Sequence, residues 1–152
     1  MAKKTWNQKL NNSGDMPRVE EVSPEAAIRY GGPKMLLAPP LYYDEIMKRV
    51  PKGKLITADR IREYLAKRHN ADYTCPLCTG IFINIAANAS AERNGENKTP
   101  YWRTLKKDGE LCEKYPEGLE GHKMLLEMEG HAVIQKGKRY FVSDYQDKLY
   151  EI

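Results

Sequence analysis

The sequence lacks a long hydrophobic run. Its longest apolar stretch, MLLAPPLYY at residues 35–43, is interrupted by two prolines, whereas a helix that spans a bilayer needs about 20 apolar residues. We therefore expect no membrane-spanning segment and no membrane partner. No apolar run follows Lys3 and Lys4 either, so we expect no secretory signal.

Cysteine is scarce as well, with three in 152 residues. An odd cysteine count without an export signal indicates reduced thiols, so we expect a cytoplasmic protein. Cys75 and Cys78 form a CxxC motif, which at a helix start can stabilise a thiolate; it follows a polar segment rather than a strand of a βαβ unit, so we expect structural cysteines, with metal or redox use as the alternative. A metal site would need two more ligands, and Cys112 and the three histidines form no second close pair. We therefore expect no metal and no cofactor.

Neither sign of charge dominates, because the formal net charge is only +4. The charge is nevertheless uneven, since residues 48–68 hold eight basic side chains against Asp59 and Glu63. The eight are Lys48, Arg49, Lys52, Lys54, Arg60, Arg62, Lys67 and Arg68. Taken alone, such a cluster favours a solvated helix face; beside a nucleic-acid-binding motif it indicates phosphate contacts.

The chain divides into an extended N-terminal arm, residues 1–34, and one domain, residues 35–152. The arm is rich in Asn, Ser, Gly, Pro and charge, a composition that forms little regular structure. Only Pro24–Tyr30 has a helical pattern there, and Trp6 and Met16 are the candidate anchors to the domain.

Three helices are predicted in the first half of the domain. Apolar residues at i, i+4 spacing indicate a helix over residues 41–50. Thr57 is a candidate N-cap for a second helix, and Thr74 for a third that tolerates Pro76 in its first turn. Two capped helices joined by a short polar connection indicate a helix-turn-helix.

The third helix has two unusual properties. It carries no charged side chain between Asp72 and Ala91, and it is rich in small residues. These are Gly80, Ala86, Ala87, Ala89, Ser90 and Ala91. Either the helix packs closely on both sides, or it lies against something narrow. Leu77, Ile81 and Ile85 share one apolar face, which we expect in the core.

The second half of the domain combines short strands with one helix. We expect a strand at residues 102–105, a turn at 107–109 and a helix over 117–129. The apolar positions of that helix are Leu119, Met124, Leu125 and Met128. The alternation in HAVIQKGKRYFV, residues 131–142, predicts a β-hairpin. A short helix capped by Ser143 is expected after it.

Four spaced segments resemble the DNA-binding domain of the O6-alkylguanine DNA alkyltransferase family. They are VPKGKLITADRIREYL, the small-residue helix around Gly80, PYWRTLKKDGEL and GLEGHKMLLEMEG, in that order. The resemblance covers roughly residues 41–130. It implies a mainly α protein with small β elements: a winged helix-turn-helix domain, here with an N-terminal extension and a C-terminal β-hairpin.

The resemblance also implies a mode of binding. In the family the second helix of the motif enters the minor groove, and an alkylated guanine is flipped into a pocket. The minor groove is about 6 Å wide, so the entering helix needs small side chains. The implied DNA-binding residues are Lys52, Lys54, Thr57, Arg60, Arg62, Lys67, Arg68, Thr74, Leu77, Gly80 and Ala87.

The reactive motif of the family is altered in this sequence. Family enzymes carry Pro-Cys-His-Arg, in which the cysteine accepts the alkyl group, whereas this chain has Pro-Tyr-Trp-Arg. Neither a phenol nor an indole replaces a thiolate in that displacement. The pattern is similar to that of the alkyltransferase-like proteins, which bind alkylated bases without repairing them. The implied base pocket contains Pro100, Tyr101, Trp102, Arg103, Glu129 and Asn88.

Three other positions depart from the family pattern or lack their partner. The tyrosine that presses on the target phosphate corresponds to Ala58. The arginine that fills the hole left by the flipped base falls at Leu77 or near Thr79; Leu77 would then serve as an apolar wedge, or belong to the core. Glu129 matches a relay glutamate without its histidine, and a surface ion pair is expected to compensate its charge.

We expect a monomer that binds double-stranded DNA, with alkylated guanine as the candidate lesion, and that transfers nothing. A repair-protein partner stays open. One alternative is an active methyltransferase with Cys75 or Cys78 as the relocated acceptor. Two further alternatives are a metal or redox protein that uses the CxxC motif, and a protein-binding derivative of the fold that no longer binds DNA.

Overall fold

The computed structural model describes residues 4–152 except for the side chain of Glu96, so the first three residues of the predicted arm lie outside it. Its helices are α1 (Trp6–Leu10), α2 (Pro24–Tyr30), α3 (Pro40–Arg49), α4 (Ala58–Arg68), α5 (Pro76–Glu92) and α6 (Gly118–Met128). Its strands are β1 (Arg18–Glu21), β2 (Lys34–Leu37), β3 (Ile56–Thr57), β4 (Tyr73–Thr74), β5 (Thr104–Leu105), β6 (Val133–Lys136) and β7 (Arg139–Val142). The protein is mainly helical with small sheets and a C-terminal β-hairpin, as expected. No helix within residues 4–152 is long and apolar enough to cross a membrane.

Three small sheets connect the helices. Strand β2 pairs antiparallel with β1 and parallel with β4, so a strand of the arm extends a sheet of the body. Strand β3 pairs parallel with β5, with Ile56 opposite Thr104. This pairing places the start of α4 beside the 3-10 turn Tyr101–Arg103 that leads into β5. Strands β6 and β7 form the predicted hairpin.

The core has two parts. The larger one lies among α3, α4 and α5, where the Tyr43 hydroxyl is hydrogen-bonded to the Thr79 hydroxyl at 2.9 Å. The smaller one contains Leu105, Leu126 and their neighbours beside the hairpin. Trp102 packs against both, so the segment after α5 joins the two parts.

The buried face of α5 is made of small residues. Ala86, Ala87 and Ala89 are fully buried, because α3 packs on this helix from one side and α1 from another. The expectation that Leu77 and Ile81 belong to the core is wrong, since they are 74% and 49% exposed. The small side chains let α1 and α3 approach α5 closely on this face. The larger Leu77 and Ile81 lie on a different face, which is exposed to solvent.

Two predictions about the start of α5 and the strand after it need correction. The N-cap is Cys75, whose sulfur accepts a hydrogen bond from the Cys78 N–H at 3.3 Å. Thr74 belongs to β4, and its hydroxyl donates to the Arg62 carbonyl at 2.8 Å. Pairing with β2 keeps the backbone extended through this residue. The strand predicted over 102–105 begins only at Thr104, because the 3-10 turn precedes it.

The arm is more structured than its composition indicates. The predicted helix at Pro24–Tyr30 is confirmed, but α1 was not expected. Helix α1 begins with a capping box formed by Thr5 and Gln8. The buried residue of this helix is Leu10. Leu10 is therefore the anchor; Trp6 and Met16, the predicted ones, keep solvent-exposed surface.

The last two predicted helices differ from the sequence-based expectation, α6 in its buried residues and the C-terminal one in its type. In α6 the fully buried residues are His122 and Leu126, whereas Met124 and Met128 are exposed, because His122 finds partners inside the protein. The short helix expected after Ser143 is a 3-10 turn, Tyr145–Lys148, preceded by Asp144 in the left-handed conformation.

Burial of Leu10 predicts that the arm contributes to global stability. Leu10→Ala should lower the free energy of unfolding by about 2–4 kcal/mol, because it removes buried methyl groups and leaves a cavity. Val19→Ala is the control: Val19 is an exposed arm residue on β1, so its change should cost about 1 kcal/mol or less. Urea denaturation measures both. Equal effects would contradict a docked arm.

Candidate functional site

A cavity of about 340 Å³ opens between the first turns of α5 and the loop that follows β5. Its lining residues on α5 are Pro76, Leu77, Gly80, Ile81, Ile83 and Asn84, and on the loop Leu105, Lys106, Cys112, Glu113, Lys114 and Tyr115, with Ala58 from the start of α4. The walls are largely apolar, and lysines and a glutamate are among the loop residues. A cleft of this size is at the small end of those that take organic ligands.

The α5 wall presents apolar side chains around a gap. Leu77 and Ile81 are exposed, and Gly80 lies between them in sequence. A Cβ built on Gly80 would meet no atom within 4 Å, so packing inside the protein does not require glycine. Glycine inside a helix costs roughly 0.5–1 kcal/mol relative to alanine, and this cost has no compensation within the described residues.

The loop wall is held by buried hydrogen bonds. The Cys112 thiol donates to the Asn84 side-chain oxygen at 3.3 Å, and the Tyr115 hydroxyl donates to the Thr104 carbonyl at 2.8 Å. Burial raises the pKa of both groups, that of Tyr115 well above its ordinary value. The thiol that lines the cavity is therefore protonated at neutral pH.

His122 connects the loop to the turn before β5. Its Nδ1 accepts from the Cys112 N–H at 3.1 Å, and its Nε2 lies 2.9 Å from the Trp102 carbonyl. A backbone N–H only donates and a carbonyl only accepts, so the ring is neutral with its proton on Nε2. Burial lowers the pKa of His122 to about 4, against the opposing effect of these backbone bonds.

Tyr101 lies behind the cavity rather than in its lining. Its ring packs edge-on against Tyr115, with centroids 5.3 Å apart, and against Trp102 at 5.4 Å. The 3-10 turn directs the side chain inward, where it is buried and its pKa is raised by desolvation. Tyr101 therefore supports the cavity wall through Tyr115 and is not among the residues that line this cavity.

Arg103 and Glu129 form an ion pair instead of a pocket wall. The guanidinium donates to both carboxylate oxygens, at 2.7 Å for the shortest bond, and to the Val50 carbonyl at 2.8 Å. Burial raises the pKa of Glu129, but the hydrogen bonds from Arg103 outweigh it and the net pKa is lowered. The expected compensating ion pair exists, although both side chains are largely buried rather than at the surface.

The remaining implied pocket residues also lie outside the cavity lining. Pro100 precedes the 3-10 turn. The Asn88 side chain donates to the Asn84 and Lys114 carbonyls, at 2.8 and 3.2 Å, and so ties α5 to the loop. Of the six implied pocket residues none lines the cavity, but Tyr101 and Asn88 contact residues that do.

The implied DNA-binding residues divide into three groups. Leu77 and Gly80 line the cavity. Five basic residues are exposed and Arg62 is half-buried; the five are Lys52, Lys54, Arg60, Lys67 and Arg68. Thr57, Thr74 and Ala87 are buried in the interior of this structure, which leaves their side chains almost no surface for a DNA contact.

The basic side chains do not converge on one face. Arg68 stacks over Tyr64 in a groove between α3 and α4, together with Arg49. Arg62 faces the opposite side of α4, near Thr74 and Pro76 at the start of α5. The stretch of charge in the sequence is therefore spread around α4, as its helical periodicity requires.

Comparison with solved structures identifies the fold. Two crystal structures from S. pombe match: Atl1 in complex with damaged DNA containing O6-carboxymethylguanine, and ATL in complex with DNA. Their TM-scores are 0.52 and 0.51, and each match has 16% identity and covers 74% of this chain and 94% of the other. The chain has the fold of S. pombe Atl1. No family model and no curated protein matches the sequence.

Comparison of the cavity with the sequence-based site shows what was missed. Asn84, Lys106, Cys112 and Tyr115 line the cavity but were not predicted. The loop LCEKY has neither helical nor strand periodicity, so no pattern marked it. The tyrosine that follows the altered Pro-Tyr-Trp-Arg motif was the one available signal, since aromatic residues suit a base-stacking wall.

The CxxC motif lacks the properties of a reactive site. Burial and the neighbouring Cys75 raise the pKa of Cys78 to about 11, which argues against the redox alternative and agrees with the expected structural role. Cys75 is buried and caps the helix. Within the part of the chain that the structure describes, no three His, Cys, Asp or Glu side chains are grouped to hold a metal ion.

The pKa of His122 predicts a pH-dependent stability. The group binds its proton near pH 6.5 when unfolded but only near pH 4 when folded. The unfolded state therefore takes up more protons as the pH falls from 6.5 to 4, and the free energy of unfolding should decrease by roughly 3 kcal/mol across that window.

Urea denaturation at several pH values measures this effect. His122→Gln, which cannot titrate, should be less stable at pH 7 and should show a flatter pH dependence between 6.5 and 4. His131 and the carboxylates titrate equally in both proteins, so they cancel in the comparison. Parallel pH profiles for the two proteins would contradict the assignment.

Proposed function

We propose that the protein binds DNA through a winged helix-turn-helix formed by α4 and α5, and holds an extruded, alkylated guanine in the cavity without taking its alkyl group. The first turns of α5 would enter the minor groove. The observation that carries this proposal is the exposed Gly80 at the mouth of the cavity, between two exposed apolar residues.

Gly80 supports close approach of a ligand to the helix. Glycine is favoured where a ligand must come near the backbone. No protein atom lies within 4 Å of a Cβ built on Gly80, so packing within the protein does not explain the glycine. The minor groove admits only elements with small side chains on the entering face. The fold shared with S. pombe Atl1, which was crystallised with damaged DNA, is consistent with this use of α5.

Leu77 and Ile81 fit the role of an apolar wedge. Both are exposed on the first turns of α5 and line the cavity. Proteins that deform DNA from the minor groove commonly insert such side chains between base steps. A wedge of this kind would occupy the space left by an extruded base, in place of the arginine that the family resemblance would put there.

The side chains around the cavity do not favour alkyl transfer. Tyr101 occupies the acceptor position of the family and is packed against Tyr115. The one thiol in the lining is Cys112, and burial keeps it protonated. A thiol reacts as its thiolate, so this environment favours binding over transfer.

A second candidate function rests on the same thiol. If Cys112 were the acceptor, its sulfur would bond to the alkyl carbon, the bond from that carbon to guanine O6 would break, and the thiol proton would pass to the guanine. The original candidates for a relocated acceptor, Cys75 and Cys78, do not line the cavity.

Binding to a duplex with and without one O6-methylguanine, at two salt concentrations, tests the proposal. We expect tighter binding to the modified duplex, because extrusion costs least for a damaged base, and weaker binding at higher salt. Intact mass after incubation should be unchanged. A methyl gain that disappears in Cys112→Ser would favour the second candidate, and no binding to either duplex at low salt would reject both.

Gly80→Leu tests how α5 meets DNA. The new side chain has open space around its Cβ, so the melting temperature should not fall, whereas DNA affinity should drop by about tenfold or more, equivalent to about 1.4 kcal/mol. Ala91→Leu, at an exposed position near the other end of α5, is the control and should keep its affinity. Unchanged affinity of Gly80→Leu would argue against groove entry by this face.

A further inference from the structure

A second concave surface adjoins the cavity and is partly built by the N-terminal arm. This arm groove has a volume of about 600 Å³ and lies between α1 and α5. Trp6 and Lys9 line it from α1, Ile81 and Ile85 from α5, and Lys114 from the loop. The resemblance to known DNA-binding domains does not extend to α1.

The arm side of the groove is held in place by specific contacts. The Glu92 carboxylate at the end of α5 accepts from the Trp6 and Asn7 N–H groups, both at 3.0 Å. The Asn7 side chain donates to the Ala89 carbonyl at 2.9 Å. Together with buried Leu10, these bonds tie α1 to α5 and give Trp6 and Lys9 a defined position.

The side chains at the groove combine an aromatic surface with positive charge. The Lys9 ammonium lies 4.4 Å from the centroid of the Trp6 ring, and Trp6 is 36% exposed. Lys4, Lys9 and Lys114 are exposed. Glu92 is engaged by the backbone N–H groups, so its charge is directed at α1 rather than at the groove. An aromatic ring flanked by lysines suits a sugar-phosphate backbone, which offers apolar sugar faces and anionic oxygens.

The arm groove is continuous with the cavity, because Ile81, Asn84 and Lys114 line both. We propose that α1 and Lys114 form a second DNA contact: the strand beside the extruded base would pass over the arm groove, with Lys9 and Lys114 at its phosphates and Trp6 against a sugar. This inference rests on the proposed function, since it requires that α5 faces DNA. A protein partner at this groove is the competing occupant.

Salt-dependent binding to the O6-methylguanine duplex tests the inference. Each lysine at a phosphate contributes about 0.9 to the slope of log affinity against log salt. Lys9→Gln with Lys114→Gln should therefore lower the slope by about 1.8 and weaken binding at low salt. Trp6→Ala should weaken binding several-fold with an unchanged slope, because the ring carries no charge.

The matched control is Lys138→Gln with Lys148→Gln, which removes the same charge from exposed lysines that line neither the cavity nor the arm groove. The control should keep the wild-type slope. If the wild type binds the duplex but the two double variants behave alike, the arm contact is wrong and the proposed function stands. If the wild type itself binds no DNA, both are rejected. Melting temperatures of the two double variants should match that of the wild type within error, since the four changed lysines are exposed. Trp6 is only 36% exposed, so binding by Trp6→Ala is measured at a temperature where circular dichroism shows that the variant is folded.

Discussion

The neutral ring of His122 organises the candidate site. It bridges two backbone segments, the Trp102 carbonyl before β5 and the Cys112 N–H after it; the bond to Cys112 is buried and the bond to Trp102 is partly buried. A buried backbone group without a partner costs about 1–3 kcal/mol, so this one side chain satisfies two groups that no regular strand or helix serves. The position of Cys112 and Tyr115 on the cavity wall follows from that bridge. The ion pair of Arg103 and Glu129 supports the same turn from the other side, because the guanidinium also holds the Val50 carbonyl.

The small residues of α5 serve two different surfaces. The alanines of its second half are buried because α1 and α3 pack closely there, which is the packing explanation that the sequence left open. Gly80 in its first half has no such neighbour. The small residues of α5 thus include alanines that pack inside the protein and a glycine that faces open space.

The regular elements were predictable where periodicity or turn chemistry was strong. Helices α3, α4, α5 and α6 and the hairpin were expected within a few residues of their bounds, since apolar spacing and Gly137 mark them. The burial of α5 could not be predicted in the same way. Its hydrophobic residues lie on several sides, and the partner that selects the buried side, α1, has too few residues for a periodic signal. The cap at Cys75 was missed because strand pairing of β4, a long-range contact, decides where the helix begins.

The sequence indicated a segment that lies beside the candidate cavity, but not the residues that line the cavity. The Pro-Tyr-Trp-Arg segment packs its side chains inward and contacts the cavity wall through neighbouring residues. Tyr101 stands where the family resemblance would place a smaller acceptor side chain, and its ring must be packed without strain. Edge-on packing against Tyr115 and Trp102 accommodates that ring inside the protein and leaves the cavity open. A ring at this position and an open cavity are therefore compatible in one structure, which is the physical argument behind the proposed recognition without transfer.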